Sequence, residues 1–347
     1  MSAERVVSTS WLLADVGGTN VRFALAQPSL TTAPLVASSI RAYRVADFRT
    51  FSEAAAAYLR TLVTKPHHAV FAFAGRVEGT RVQMTNHPWA ISAPQLQSDL
   101  ALESVQLVND FAAIGMGLPL LQHGDVLSLG HGVNVIGARA RSQTFCVLGP
   151  GTGLGISALV VRDGRIDGLQ TEGGHVGFAP SSTEEIAVLR QLMNRFSRVS
   201  IERVLSGNGL VNLRLALCAI EQIEAAPLQP EEITERARQV GDRECVRAVE
   251  MFCDILGSVA GDCVLSYGAW DGVYLAGGML GPLLPWLQQG RFRLRFDEKG
   301  RFSQAVSKVP VALITHPQPG LLGAAGCAVV ASGNSPLRTT EGTPARP

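Results

Sequence analysis

The chain has 347 residues, 46% hydrophobic and 17% charged, which is enough for two domains of ordinary size with substantial cores. Its 30 basic and 29 acidic residues leave a formal charge of +1, and no basic run or aromatic-interleaved basic stripe points to a nucleic-acid partner. No stretch approaches about 18 uncharged apolar residues, and Met1–Val7 lacks a basic segment ahead of an apolar core, so neither a membrane span nor a secretory signal is expected.

Residues 11–16 (Trp-Leu-Leu-Ala-Asp-Val) read as a buried strand, 17–20 (Gly-Gly-Thr-Asn) as a turn and 21–26 as an alternating strand. Residues 68–74 form a further apolar strand ending at Gly75, and 105–108 a short β-branched one ending at Asn109-Asp110. A helix is expected from Phe111 to Met116. Residues 144–148 and 156–161 repeat the strand–turn–strand pattern around Gly149-Pro-Gly-Thr-Gly-Leu-Gly155. Ser182-Thr-Glu-Glu185 predicts a capped helix start, with Ile186, Leu189, Met193 and Phe196 following at helical spacing. Pro230 opens another helix that Gly241 closes, and a long core helix runs from Asp242 to about Tyr267. Strands at 273–276 and 309–315 follow, and residues 332–347 read as a loose Gly/Ser/Thr/Pro-rich tail. Six cysteines, none in a Cys-x-x-Cys pair, sit in apolar runs and read as buried free thiols of a cytoplasmic protein.

Two strand–glycine-turn–strand hairpins far apart in one α/β chain suggest two related halves facing each other across a cleft. In Asp15-Val16-Gly17-Gly18-Thr19-Asn20, glycines let backbone amides approach a phosphate, and Asp15 can hold a Mg²⁺ through water; an ordinary hairpin turn would read the same way. The second turn has four glycines in seven positions, more than a hairpin needs. It does not fit Gly-x-Gly-x-x-Gly, because Leu154 and Ile156 fall where glycine is required. The absence of any Gly-Lys dipeptide excludes a P-loop of the Walker type. Gly277-Gly278, after a strand, allows close approach of a flat group such as an adenine. Asp110 at a strand end can take a hydroxyl proton, with Asn109 orienting the acceptor; an Asx turn capping the next helix is the alternative. Glu172-Gly-Gly-His175 can hydrogen-bond vicinal hydroxyls. Glu202 reads equally as a carboxylate favoured by a helix dipole.

Together these segments resemble bacterial glucokinases of the hexokinase-like type, in the actin/sugar-kinase superfamily. The resembling segments are Asp15–Asn20, Thr85-Asn-His-Pro-Trp89, Val108–Phe111, Gly151–Gly155, Glu172–Val176, Arg203–Gly207, Leu275–Gly278 and Pro319–Gly323. They occur in the family's order between about Leu12 and Val330. The resemblance implies an α/β, two-domain actin-like ATPase (ribonuclease H-like) fold. It implies a small domain of 1–118 plus 319–331, a large domain of 119–318, and a homodimer. It further implies ATP-dependent phosphorylation of D-glucose at O6, the first step of glucose use in glycolysis. Asp110 would be the base, and Asn109, Asp110, Glu172, His175 and Glu202 would hold the sugar. Ala14, Asp15, Val16, Gly17, Gly18, Thr19, Gly151, Thr152, Gly153, Gly277 and Gly278 would line ATP, with Mg²⁺ near Asp15.

The chain departs from the pattern in places. Arg76 stands where the family has proline, and Gly177 where some members carry aspartate. The Cys/His zinc cluster of the repressor–kinase branch is missing from the sequence. A kinase for another hexose, a nucleotide-switched binding protein and a weakly active sugar sensor stay open on the sequence alone.

Overall fold

The computed structural model describes residues 10–84, 89–130, 132, 136, 142–239 and 242–337. The Thr85–Pro88 part of the family segment and the expected helix stop at Gly241 lie outside them. Among the described residues, the first sheet holds β1 (Trp11–Val16), β2 (Asn20–Ala26), β3 (Leu35–Arg44) and β4 (His68–Phe73). A small antiparallel sheet follows, of β5 (Gly75–Glu78), β6 (Arg81–Met84) and β7 (Ala90–Ser92). The chain then returns to the first sheet as β8 (Ser104–Asn109), completing the order β3-β2-β1-β4-β8. The second sheet comprises β9 (Val126–Ser128), β10 (Ser142–Pro150), β11 (Leu154–Arg162), β12 (Arg165–Gln170), β13 (Gly272–Leu275) and β14 (Val311–Ile314). Its order is β12-β11-β10-β13-β14-β9.

In both sheets an antiparallel hairpin (β1–β2, β10–β11) is followed by parallel partners (β4 then β8, β13 then β14). The two halves are therefore versions of one topology. The parallel strands bring the carboxyl ends of β1, β4 and β8 to one edge, where Val16 lies opposite Phe73 and Phe73 opposite Asn109. Likewise Leu148 of β10 lies opposite Leu275 of β13. Such edges are where α/β proteins gather ligands.

The central strands β1, β4, β10 and β13 are largely apolar because they are buried on both faces. Leu12, Ala14 and Val16 point into a core with α1 (Phe51–Leu59) and α2 (Ala93–Leu100). Trp11 and Leu13 point the other way, into a middle core shared with Phe145, Val147 and Tyr274 of the second sheet. This period of two is the pleat read directly from the sequence. The outer face of the second sheet is covered by six helices after α3 (Asp110–Gly117). They are α4 (Thr183–Met193), α5 (Gly207–Ile220), α6 (Pro230–Arg238), α7 (Arg243–Tyr267), α8 (Leu280–Gln288) and α9 (Arg291–Asp297). A short α10 (Ser303–Val306) adds Val306 to the same core.

The middle layer between the sheets is made by α3 and by α11 (Pro319–Ala331). They cross at backbone contact: a methyl on Gly323 would overlap the carbonyl of Ala113, and one on Gly326 that of Met116. Only glycine permits so close a crossing. The two helices thus form one compact joint under both glycine turns.

Helix starts follow the expected chemistry. Ser182 Oγ accepts from Glu185 N at 3.1 Å, while the Glu185 carboxylate accepts from Ser181 N at 2.7 Å, one residue earlier than a capping box would place it. Asp242 caps α7 through Cys245 N at 3.2 Å, and Gly268 ends it in the left-handed region at φ 67°. All six cysteines are buried and free. Among the described residues, no helix is long and apolar enough to cross a membrane. The ordered chain runs past Ala331: Leu337 is buried in the middle core, which the expectation of a loose tail from residue 332 missed. Residues 338–347 lie outside the described ones.

Candidate active site

Asp15 stands next to last in β1, directly across the hairpin from Arg22, whose Nη1 lies 3.5 Å from Oδ2. Gly17 N donates to Asn20 O at 3.0 Å and closes the turn, leaving Gly18 and Thr19 exposed. Ala14 and Val16 are fully buried, so within residues 14–19 it is the turn, with the half-buried Asp15, that reaches the surface. The Asp15 carboxylate rests on Gly320 at the start of α11, where a methyl would stand 2.5 Å from Cγ and 2.7 Å from each oxygen. Burial raises its pKa above the usual carboxylate value, and Arg22 opposes that shift.

Asn109 and Asp110 sit where β8 passes into α3. The sequence left Asp110 divided between a helix cap and a base, and in the structure its neighbour supplies the cap. Asn109 is the cap: its Oδ1 accepts from Ala112 N at 3.0 Å, and its Nδ2 donates to Gly75 O at 3.1 Å, tying β8 to the start of β5. Asp110 begins the helix, with Oδ1 accepting from Phe111 N at 2.9 Å. Burial pushes its carboxyl up to about 7, with the Asp15 charge and then Glu172 adding to the rise and backbone N–H groups opposing it. A carboxyl in that range can exchange a proton near neutral pH.

Glu172, His175 and Glu202 come together on the other side. His175 Nε2 lies 4.0 Å from Glu172 Oε2, and its Nδ1 lies 4.0 Å from Glu202 Oε1. Thr171 Oγ1 donates to Ile156 O at 2.6 Å and accepts from Gly173 N at 3.2 Å, fixing the Glu172 turn against β11. Arg198 Nη1, which the sequence reading missed, donates to His175 O at 2.6 Å and anchors that residue. Glu202 lies in a single 3-10 turn, and its carboxylate accepts from Leu154 N at 2.9 Å. It is bound to the second glycine turn.

The glycines of that turn have different reasons. Gly151 has open space around its Cβ position, and Gly151 N donates to Gly153 O at 2.8 Å. A methyl on Gly153 would stand 2.5 Å from Glu202 Oε2. Gly149 and Gly155 face each other across the hairpin and are glycine for packing: a methyl on Gly149 would overlap Ala276 O, and one on Gly155 would fall in the Phe111 ring. Gly277 has φ 126° and abuts Pro150 O, whereas Gly278 is open. Arg76 pairs with Glu78, its guanidinium 3.0 Å from the carboxylate and both side chains about two-thirds exposed. Gly177 bridges to Ser200, and a methyl on it would meet only Arg198 Nη2, at 4.0 Å. Of the Thr85–Trp89 segment that resembles the family's, Trp89 is described, and it is buried against Phe51.

A family model described as Glucokinase matches residues 12–331. The chain is 46% identical over 325 residues to a glucokinase of Stenotrophomonas maltophilia (strain K279a), covering 94% of this chain and 96% of that protein. The crystal structure of a glucokinase from an Antarctic psychrotroph superposes with a TM-score of 0.80 at 33% identity, over 92% of this chain and 98% of that one. A glucokinase from Balamuthia mandrillaris in complex with glucose shares the fold at 20% identity, with a TM-score of 0.77 over 94% and 95% of the two chains. The fold is the two-domain actin-like ATPase fold. This chain belongs to the glucokinase family.

Proposed function

We propose that this chain transfers the γ-phosphoryl group of ATP to the O6 hydroxyl of D-glucose, giving glucose 6-phosphate and ADP. The observation that carries the reading is Asp110: a half-buried carboxyl, pushed up to about 7, at a strand end beside the first glycine turn and the Glu172 side of the second. Asp110 accepts the O6 proton as the O6–phosphorus bond forms and the bond from phosphorus to the β-phosphate oxygen breaks. The electron pair of that bond leaves with ADP. Such transfers have loose transition states, so positioning and charge neutralisation supply most of the acceleration.

Asn109, Asp110, Glu172, His175 and Glu202 bind the sugar hydroxyls. An epimer that left one of these groups unpaired would bind poorly. The turns at Gly17–Thr19 and Gly151–Gly153 offer backbone amides to the phosphates, and Gly278 leaves room for the adenosine. Asp15 suits Mg²⁺ held through water. Mg²⁺ takes oxygen ligands and keeps several waters, and among the described residues no group of three or more His, Cys, Asp or Glu forms an all-protein cage. When bound, the ion supplies charge neutralisation on the phosphate oxygens. Gly320→Ala, which would press on the Asp15 carboxylate, is expected to raise the Mg²⁺ concentration giving half-maximal rate. An unchanged Mg²⁺ titration would remove Asp15 from this role.

Residues 1–118 with 319–331, and 119–318, are read as the two domains, hinged on α3 and α11 and closing to exclude water. A homodimer in the cytoplasm completes the reading; the six buried free thiols suit a reducing compartment. The functional test is kcat/KM over a hexose panel with ATP. The expected order has glucose first, and a clear preference for mannose or fructose would replace the substrate while keeping the chemistry.

A further inference from the structure

We propose that Phe111 is a positioning residue that seats the Asp110 backbone on the second glycine turn, and that Gly155 is glycine to receive this ring and not to approach a phosphate. The inference rests on reading Asp110 as the base. Phe111 follows Asp110 directly, and its N–H donates to Asp110 Oδ1 at 2.9 Å. Its ring lies on a platform made by two glycines that face each other across the β10–β11 hairpin. A methyl on Gly155 would fall inside the ring, and one on Gly149 would stand 3.2 Å from Cε1. Gly149 in turn abuts Ala276 O, next to Gly277-Gly278. The ring therefore joins the start of α3 to both strands of the second turn, and Gly149 of that turn meets Ala276, the residue after β13.

Two consequences separate this from the phosphate-loop explanation of Gly155. A side chain at 155 collides with protein before any nucleotide is present. The collision is with one side chain, so shortening that side chain relieves it. At Gly149 the obstacle is the Ala276 backbone carbonyl, which no change at Phe111 removes.

The test compares Gly155→Ala, Phe111→Leu, the double variant, Gly149→Ala and Gly149→Ala/Phe111→Leu. For each, kcat, the KM values for ATP and glucose, and the melting temperature are measured. Gly155→Ala is expected to lower kcat about 10²-fold, the scale of a displacement near 1 Å at a reacting group, with little change in either KM. Phe111→Leu is expected to lower kcat less, again without a KM change. The double variant should recover to the Phe111→Leu level, while Phe111→Leu should not rescue Gly149→Ala. A double variant no better than Gly155→Ala would overturn the proposal. So would Gly155→Ala with normal kcat, or with a raised ATP KM as its main defect. If Gly155→Ala does not fold, Phe111→Leu carries the test alone, and normal kcat in it overturns the proposal. The melting temperatures should show the same rescue whether or not Asp110 is the base, so failure of the base assignment and failure of the seating are told apart.

Discussion

Asp110→Asn is expected to lower kcat by about 10²- to 10⁴-fold, the usual worth of general-base assistance, while leaving glucose binding close to that of the unmodified enzyme. The replacement keeps the shape of the side chain and an oxygen to accept from Phe111 N, so α3 and its Asn109 cap should stay in place. What it removes is the site for the O6 proton. The same carboxyl sets a pH dependence. With its pKa raised to about 7, it is protonated and unable to accept a proton below that value, so kcat/KM for glucose should fall as pH drops through about 7. Stability has the opposite sign. The folded protein holds this proton more tightly than the unfolded chain, so the stability it contributes is fully present below the ordinary carboxylate value of 3.8, declines as pH rises from there, and is lost above about 7, where a desolvated charge is left. Asp110→Asn is therefore expected to melt higher than the parent at pH 8, with the difference shrinking at pH 6. Near-normal turnover in the variant would remove Asp110 from its role.

Glu202→Ala is expected to damage both substrates at once. Its carboxylate accepts from Leu154 N at 2.9 Å, inside the second glycine turn, and stands 4.0 Å from His175. Truncation frees the turn amide and removes an acceptor proposed to bind the sugar. The loss of one hydrogen bond to a charged group corresponds to roughly 10- to 100-fold in kcat/KM for glucose, and the ATP KM should rise with it. Glu202→Gln separates the effects, because its amide oxygen can still accept from Leu154 N. It should spare the ATP KM and still weaken glucose. Equal ATP defects in the two variants would contradict a loop-holding role for the carboxylate.

The two hairpins and their parallel partners were legible because central strands buried on both faces leave continuous apolar runs, as in Trp11–Val16 and Phe145–Leu148. Edge and short elements were not. β3 alternates between half-buried and exposed positions, and β5 to β7 have three or four residues each, too few for a pattern. Asp15, Asp110 and the Glu172 turn were recognisable because each is local to a strand end or a glycine turn. Arg22 was within reach of the sequence, since hairpin register places it opposite Asp15. The roles of Phe111, Gly155 and Glu202 were not, because they depend on contacts between segments more than forty residues apart. The glycines of 149–155 exceed what a hairpin needs, and the structure gives most of them a packing reason: Gly149 answers to Ala276, Gly153 to Glu202 and Gly155 to Phe111, while Gly151 has open space.

The most direct test of the whole account is product stoichiometry with ATP, Mg²⁺ and the purified protein, with and without D-glucose. The account predicts one ADP for each glucose 6-phosphate, and very slow ADP release when glucose is left out. ADP formation at the same rate with or without the sugar would contradict it.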